Sequence, residues 1–170
     1  MEIIRYDHIS LVRGDINDFE FYYGLKCEES NIKWSGFIGK PDREKLFSWY
    51  KNNVLDKKYE FFIIKNNNTY VGALYFKFNS TESCEFLGIG VSEKEQGKGI
   101  AVFALKRFIE YIIKNYPSCK IITTLIREDN LKSQQAFKRA GFLFSGKIEY
   151  KYLSSIARKI KMQRFEIELN

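Results

Sequence analysis

Glu85-Phe86-Leu87-Gly88-Ile89-Gly90-Val91, then Ser92 to Glu95, then Gln96-Gly97-Lys98-Gly99-Ile100-Ala101 is the stretch on which the reading of this chain turns. An apolar, strand-like run over Cys84 to Val91 enters a glycine-rich turn. A segment from Gly97 to Tyr116 follows, with Ala101, Leu105, Phe108, Ile109 and Ile112 at helical spacing and Pro117 to end it. A strand that runs through a glycine turn into a helix builds an anion site. The first helical N–H groups lack an intrahelical partner, and the macrodipole puts partial positive charge there. Gly97 and Gly99 let the backbone come close to a phosphate, Ala101 keeps the next turn thin, and Lys98 adds a formal charge. The P-loop pattern fails because Ile100 follows Gly99. The dinucleotide pattern G-x-G-x-x-G fails twice, with Glu93 and Val102 where a third glycine belongs.

Outward from this stretch the elements alternate. Downstream, Ile121 to Ile126 is a short, nearly continuous apolar run, as a buried central strand requires. Asn130 to Ala140 reads as a helix stopped by Gly141. Phe144, Ile148, Tyr150 and Tyr152 fall on one face of a strand, and Lys159 to Leu169 gives a last one. Upstream, Tyr59 to Lys65 and Tyr70 to Phe78 form a hairpin across Asn66-Asn67-Asn68. Asp42 to Asn52 is an expected helix, Glu28 to Gly39 an expected loop, and Asp15-Ile16-Asn17-Asp18 caps a short helix toward Gly24. Glu2 to Val12 is a first strand. The sum is a mixed α/β domain around one sheet, read as a single domain over 1–170, since no repeat or Pro/Gly-rich linker interrupts it.

Composition narrows the classes. The 170 residues are 45% hydrophobic and 16% aromatic, which fits a globular core and excludes disorder. No apolar run reaches the roughly 20 residues of a membrane span, and no signal peptide is visible, so a cytoplasmic protein without a membrane partner is expected. Cys27, Cys84 and Cys119 are scattered and His8 is the only histidine, so the expectation is free thiols and no metal. The net charge of +7 favours acidic partners, among them phosphorylated cofactors.

The pattern Q-x-x-G-x-A from Gln96 through Gly99 to Ala101 resembles the acetyl-CoA pyrophosphate loop of the GNAT superfamily of N-acetyltransferases. A second match, Asn130, Ser133, Phe137, Gly141 and Phe142, is similar to the family's N-x-x-[A/S]-x-x-x-[Y/F]-x-x-x-G-F signature, one helix plus one strand downstream. The resemblance runs from about Tyr59 to Phe142. It implies a central, mixed but mostly antiparallel sheet of about seven strands flanked by helices, with splayed central strands forming the acyl-CoA cleft. It also implies acetyl-CoA as cosubstrate, and direct attack by a primary amine in a ternary complex.

Residue roles follow from the same resemblance. Ile89 falls where an N–H faces the acetyl carbonyl, with Gly90 and Val91 pairing with pantetheine; such a donor is an oxyanion stabiliser. Gln96, Gly97, Lys98, Gly99, Ile100 and Ala101 hold the diphosphate. Asn130 contacts the pantetheine region and Ser133 the phosphate or adenylate portion. Glu85 stands where several members keep the carboxylate that deprotonates the amine, although a strand-end ion pair would use the same residue. Phe137 departs from the family: many relatives carry a tyrosine there whose hydroxyl protonates the departing thiolate. That leaves the acid to a water or to a tyrosine from elsewhere.

The acceptor stays open at this point. The form of the motifs is closest to ribosomal-protein and amino-sugar (pseudaminic-acid pathway type) acetyltransferases. The basic balance suits a diphosphate-bearing acceptor, so a small-molecule amine such as a nucleotide-linked amino sugar is expected, with a protein N-terminus as the alternative; polyamines, being cations, would want an acidic pocket, and this chain is not rich in acid. Trp34, Trp49, Tyr150 and Tyr152 are candidates for an acceptor wall, with core or strand-face packing the ordinary alternative. Two other classes compete. A basic nucleic-acid module would use Arg158, Lys159, Lys161 and Arg164, but Ile160 and Met162 interleave with them as on a solvated strand, so no nucleic-acid partner is expected. A non-catalytic acyl-CoA sensor would accommodate Phe137. The expected state is a monomer or homodimer.

Overall fold

The computed structural model describes residues 8–170. In chain order the elements are β1 (Ile9–Arg13), α1 (Phe19–Lys26), α2 (Glu29–Ser35), α3 (Arg43–Tyr50), β2 (Glu60–Asn66), β3 (Thr69–Ser80) and β4 (Ser83–Val91). There follow α4 (Ile100–Asn115), β5 (Ile121–Arg127), α5 (Leu131–Arg139), β6 (Leu143–Leu153) and β7 (Arg158–Glu168). The seven strands form one sheet in the order β1-β2-β3-β4-β5-β7-β6. Every pairing is antiparallel except β4 with β5, which is parallel. This is the mixed, mostly antiparallel sheet the sequence implies. Of the first expected strand, positions 2–7 lie outside the described residues.

The sheet is covered on both faces, which is why its inner strands read as continuous apolar runs rather than alternating ones. In β2, Phe62 and Ile64 point into a core shared with α4 and α5, while Phe61 and Ile63 point into a second core under α1 and α3. Helix α4 supplies Ala104, Leu105, Phe108 and Ile112 to the first core, the i, i+4 stripe visible in the sequence. The Phe108 ring meets Phe76 at 4.7 Å and Phe86 at 5.0 Å between centroids. In the second core, Tyr50 is fully buried and its hydroxyl donates to the Asp15 carbonyl at 2.6 Å, so an aromatic mass is buried with its polar end satisfied.

Two expectations change. The segment Glu28 to Gly39 is not a loop: Glu29–Ser35 is a helix, ended by Gly36 at φ +75°. What stabilises so short a helix is distant in sequence. The Glu28 carboxylate, just before it, accepts from Ser92 Oγ at 2.9 Å and from the Glu93 N–H at 2.8 Å. The helix expected over Asp42 to Asn52 is α3, capped by Asp42 through the Lys45 N–H, and it runs on into a π-helical turn over Lys51–Leu55.

Candidate active site

The parallel rungs between β4 and β5 cover only Ser83 to Phe86 against Ile121 to Thr124. The register of β4 against β3 jumps at the same place, from Phe76 opposite Phe86 to Tyr75 opposite Gly88, leaving Leu87 as the extra residue of a bulge. A bulge increases local twist and bends its strand. Beyond Phe86, β4 therefore turns away from β5, while β5 continues alongside β7 as far as Arg127. The strands part as the family resemblance implies, and beyond Phe86 the edge of β4 has no β5 partner.

Where the strands diverge lies a cavity of about 680 Å³. Glu85, Ile89, Asn130, Ser133 and Phe137, all singled out from sequence, line it together. Gly90, Val91 and the turn from Gln96 to Ala101 do not line it; they continue β4 toward the mouth of α4. At that mouth Gly97 and Gly99 adopt φ of +79° and +78°, a left-handed conformation that disfavours any side chain. Space directly over Gly97 is open, with no heavy atom within 4 Å of where a Cβ would stand. The first α4 bond runs from the Phe103 N–H to the Gly99 carbonyl at 3.1 Å, so the N–H groups of Ile100, Ala101 and Val102 precede the helical ladder. Open space over a glycine turn at a helix N-terminus fits a diphosphate. The Gln96 side-chain amide donates to Val91 O at 3.1 Å and Ser30 Oγ at 3.0 Å, and its backbone N–H donates to the Glu93 carbonyl at 3.2 Å, so its donors are spent in shaping the turn. Lys98 pairs with Glu95 at 3.0 Å across the turn.

Glu85 sits on β4 with its carboxylate 3.4 Å from the Lys77 ammonium, both partly exposed. Asn130 caps α5, its side-chain oxygen accepting the Ser133 N–H at 3.1 Å. The Gln134 amide donates to the carbonyls of Arg127 and Glu128, fixing the turn between β5 and α5. Phe137 is buried, edge-on to Phe86 at 5.4 Å and to Phe142 at 5.0 Å, and so joins the cavity wall to the core. It offers no hydroxyl.

The far wall comes from the N-terminal helices. Trp34 and Trp49 line the cavity as acceptor-side candidates, whereas Tyr150 and Tyr152 are exposed on β6 and do not. The Lys33 ammonium stands 4.6 Å and the Arg127 guanidinium 5.0 Å from the centroid of the Trp34 ring. Tyr22, Lys26, Tyr75 and Arg127 are among the lining residues not singled out from sequence. The spacing of Tyr22 and Lys26, four apart on one helix face, was a usable signal. Burial pushes the Tyr22 phenol well above its usual range and, with help from Tyr59, pushes Tyr75 up to about 12. Both stay protonated at neutral pH. The Lys26 ammonium donates to Ser35 Oγ at 3.2 Å and lies 5.4 Å from the Tyr22 ring centroid. Its side chain keeps some solvent contact, yet the surrounding protein is enough to pull its pKa from 10.5 down to about 8.

Of the basic residues considered for nucleic acid, Lys161 pairs with Glu128 at 3.4 Å and Arg164 with Glu149 at 2.9 Å. Among the described residues no cluster of three or more potential metal ligands occurs, and no helix is long and apolar enough to cross a membrane.

The profile of the acetyltransferase (GNAT) family matches residues 25–142. The chain is 33% identical over 60 residues to the spermine/spermidine N(1)-acetyltransferase of Bacillus subtilis (strain 168), covering 35% of this chain and 39% of that relative's length. Among solved structures, spermidine N-acetyltransferase from Vibrio cholerae in complex with CoA and spermine superposes with a TM-score of 0.79 at 18% identity, over 95% of this chain and 96% of that one. The aminoglycoside acetyltransferase AAC(6')-Ib in complex with coenzyme A gives 0.78 at 14% identity, over 94% of each chain. At these identities the structural likeness speaks for the fold.

Proposed function

We propose that this chain, which belongs to the acetyltransferase (GNAT) family, is an acetyl-CoA-dependent N-acetyltransferase whose acceptor is a primary amine on a nucleotide-linked amino sugar. The observation that carries the donor half is the parting of β4 from β5 at Leu87, in line with an open, left-handed glycine turn at the mouth of α4. The N–H groups of Ile100, Ala101 and Val102 hold the diphosphate, the β4 edge at Gly90 and Val91 holds the pantetheine arm, and Asn130 and Ser133 face it from α5. When bound, acetyl-CoA supplies the thioester carbonyl and a thiolate leaving group. Solved relatives of the same fold hold CoA.

The protein's own contribution is mainly to hold two substrates together, which supplies much of any rate enhancement. The Glu85 carboxylate takes the proton from the acceptor amine, directly or through one water. The Ile89 N–H is the donor for the carbonyl oxygen as it gains charge. The hydroxyl that Phe137 lacks comes from Tyr75, whose oxygen lies 3.1 Å from the position a Cβ on Gly88 would take, one residue from Ile89. Tyr75→Phe is expected to lower kcat by roughly tenfold or more while leaving KM for acetyl-CoA unchanged. Phe137→Tyr in that background restores part of the rate, measured by thiol release. An unchanged kcat in Tyr75→Phe removes Tyr75 from the reaction.

The acceptor half rests on charge. The cavity is lined by Lys26, Lys45, Arg127 and Lys151 against Asp42 and Glu85, a cationic surplus that suits a diphosphate, and Trp34 and Trp49 offer flat faces for a sugar or base. A second reading is a polyamine acceptor, favoured by the names of the Bacillus subtilis and Vibrio cholerae relatives. Polyamines are cations, and this lining gives them little to pair with. Turnover of acetyl-CoA against separate panels of nucleotide amino sugars, polyamines, aminoglycosides and peptides decides between them. Thiol release with the first panel is the expected result, and turnover confined to polyamines or to peptides overturns the amino-sugar reading.

A further inference from the structure

We propose that Lys26 is the residue by which the acceptor pocket recognises a negatively charged group on its substrate. This rests on the acceptor side of the cavity being the amine-binding side, as proposed above. Lys26 ends α1, and its ammonium stands in the cavity wall with a hydroxyl and an aromatic face as its contacts, Ser35 Oγ and the Tyr22 ring. Among the described residues no carboxylate pairs with it. Of the other cavity cations, Arg127 is already satisfied, with its Nε and Nη2 on Asp129 at 2.9 Å each; Lys45 and Lys151 also line the space, and Lys26 differs from them in the desolvation that pulls its pKa down. The carboxylates are engaged too, Glu85 with Lys77 and Asp42 with the N–H that it caps.

A desolvated ammonium without a counter-ion is costly for the fold, and an anion arriving in the cavity recovers that cost as binding. Burial is the sole cause of its lowered pKa; no neighbouring cation or anion contributes to it. The consequence has a definite sign. Free Lys26 is charged below pH 8 and neutral above it, so anion-dependent affinity is present at pH 7 and falls as pH rises through about 8. Tyr22 from α1 and Tyr75 from β3, which face the same space, hold their protons through this range. The remaining charged groups around it are Asp42 and Lys45 from α3, Glu85 from β4, Arg127 from β5 and Lys151 from β6.

The test compares two acceptors that differ in one group, an amino sugar carrying a nucleoside diphosphate and the same sugar as an uncharged glycoside. Their affinities are measured by calorimetry on the full chain saturated with CoA, and their kinetics with acetyl-CoA. Lys26→Met is expected to weaken the charged acceptor by roughly 10- to 100-fold, the worth of a hydrogen bond between charged groups, and to leave the uncharged one within about twofold. KM for acetyl-CoA does not change. Lys26→Arg keeps the preference and makes it independent of pH between 7 and 9.5, because a guanidinium stays charged there and the amine common to both acceptors cancels in the comparison. Equal losses for both acceptors in Lys26→Met, or no loss for either, overturn the proposal while leaving the enzymatic reading intact. Binding of the charged compound that depends on Lys26 without any turnover does the reverse.

Discussion

Glu85→Gln lowers kcat by roughly 10²–10⁴-fold and leaves KM for acetyl-CoA unchanged, the loss expected when a positioned general base is removed. Glutamine keeps the shape of the side chain and one acceptor oxygen but cannot take a proton at neutral pH. The same residue also pairs with Lys77 at 3.4 Å, on a surface where both remain partly exposed. Such a pair contributes about 0–1 kcal/mol to stability. The two roles separate cleanly. If Glu85 serves only the ion pair, Lys77→Met and Glu85→Gln shift the denaturation midpoint alike and neither slows turnover. If it is the base, Glu85→Gln alone abolishes most of kcat, and raising the pH recovers rate by deprotonating the free amine in solution. An Glu85→Gln enzyme with wild-type kcat ends the assignment.

Replacing both Gly97 and Gly99 by valine is expected to raise KM for acetyl-CoA by roughly 10²–10⁴-fold, through the loss of two charge-assisted hydrogen bonds at about 1.5–3 kcal/mol each. Each glycine has φ near +78°, where a β-branched residue is a strong outlier, so the turn must rearrange. A Cβ at 97 enters the open space over the turn, and one at 99 comes within 3.4 Å of the Phe103 ring. Both effects move N–H groups of the α4 mouth away from a diphosphate. The core stripe of α4 begins at Ile100 and continues through Ala104, Leu105 and Phe108, and none of it is touched. The variant therefore retains its circular-dichroism spectrum while losing the thermal shift that acetyl-CoA produces in the wild type. Full retention of that shift removes the diphosphate from this turn.

Much of the candidate site was readable because its geometry is local. A glycine turn after a strand and before a helix, and an asparagine at the start of the next helix, carry their geometry within a few residues. Gly99 at φ +78° and Asn130 as a cap are where their neighbours in sequence require them to be. The strands were legible for a related reason: two covered faces force runs such as Phe61-Phe62-Ile63-Ile64. The helix Glu29–Ser35 was not, because its anchors are Ser92 and Glu93, more than sixty residues away. Tyr75 was hidden in the same way. The role proposed for it comes from lying across Gly88 on the neighbouring strand, and only the pairing register reveals that. Lys26 reads in sequence as an ordinary basic residue at a helix end, a favourable place for a cation; what sets it apart is the cavity it enters.

The bulge at Leu87 has a mechanical side as well. Four residue pairs, Ser83 to Phe86 against Ile121 to Thr124, form the ladder between β4 and β5, and the Glu82 carbonyl just before them accepts from the Lys120 and Ile121 N–H groups. This ladder is the shortest in the sheet, and it ends where the candidate cleft opens. On the proposed reading, a ligand arm along the β4 edge takes the place of the missing rungs, so that substrate acts as a temporary eighth strand between β4 and β5.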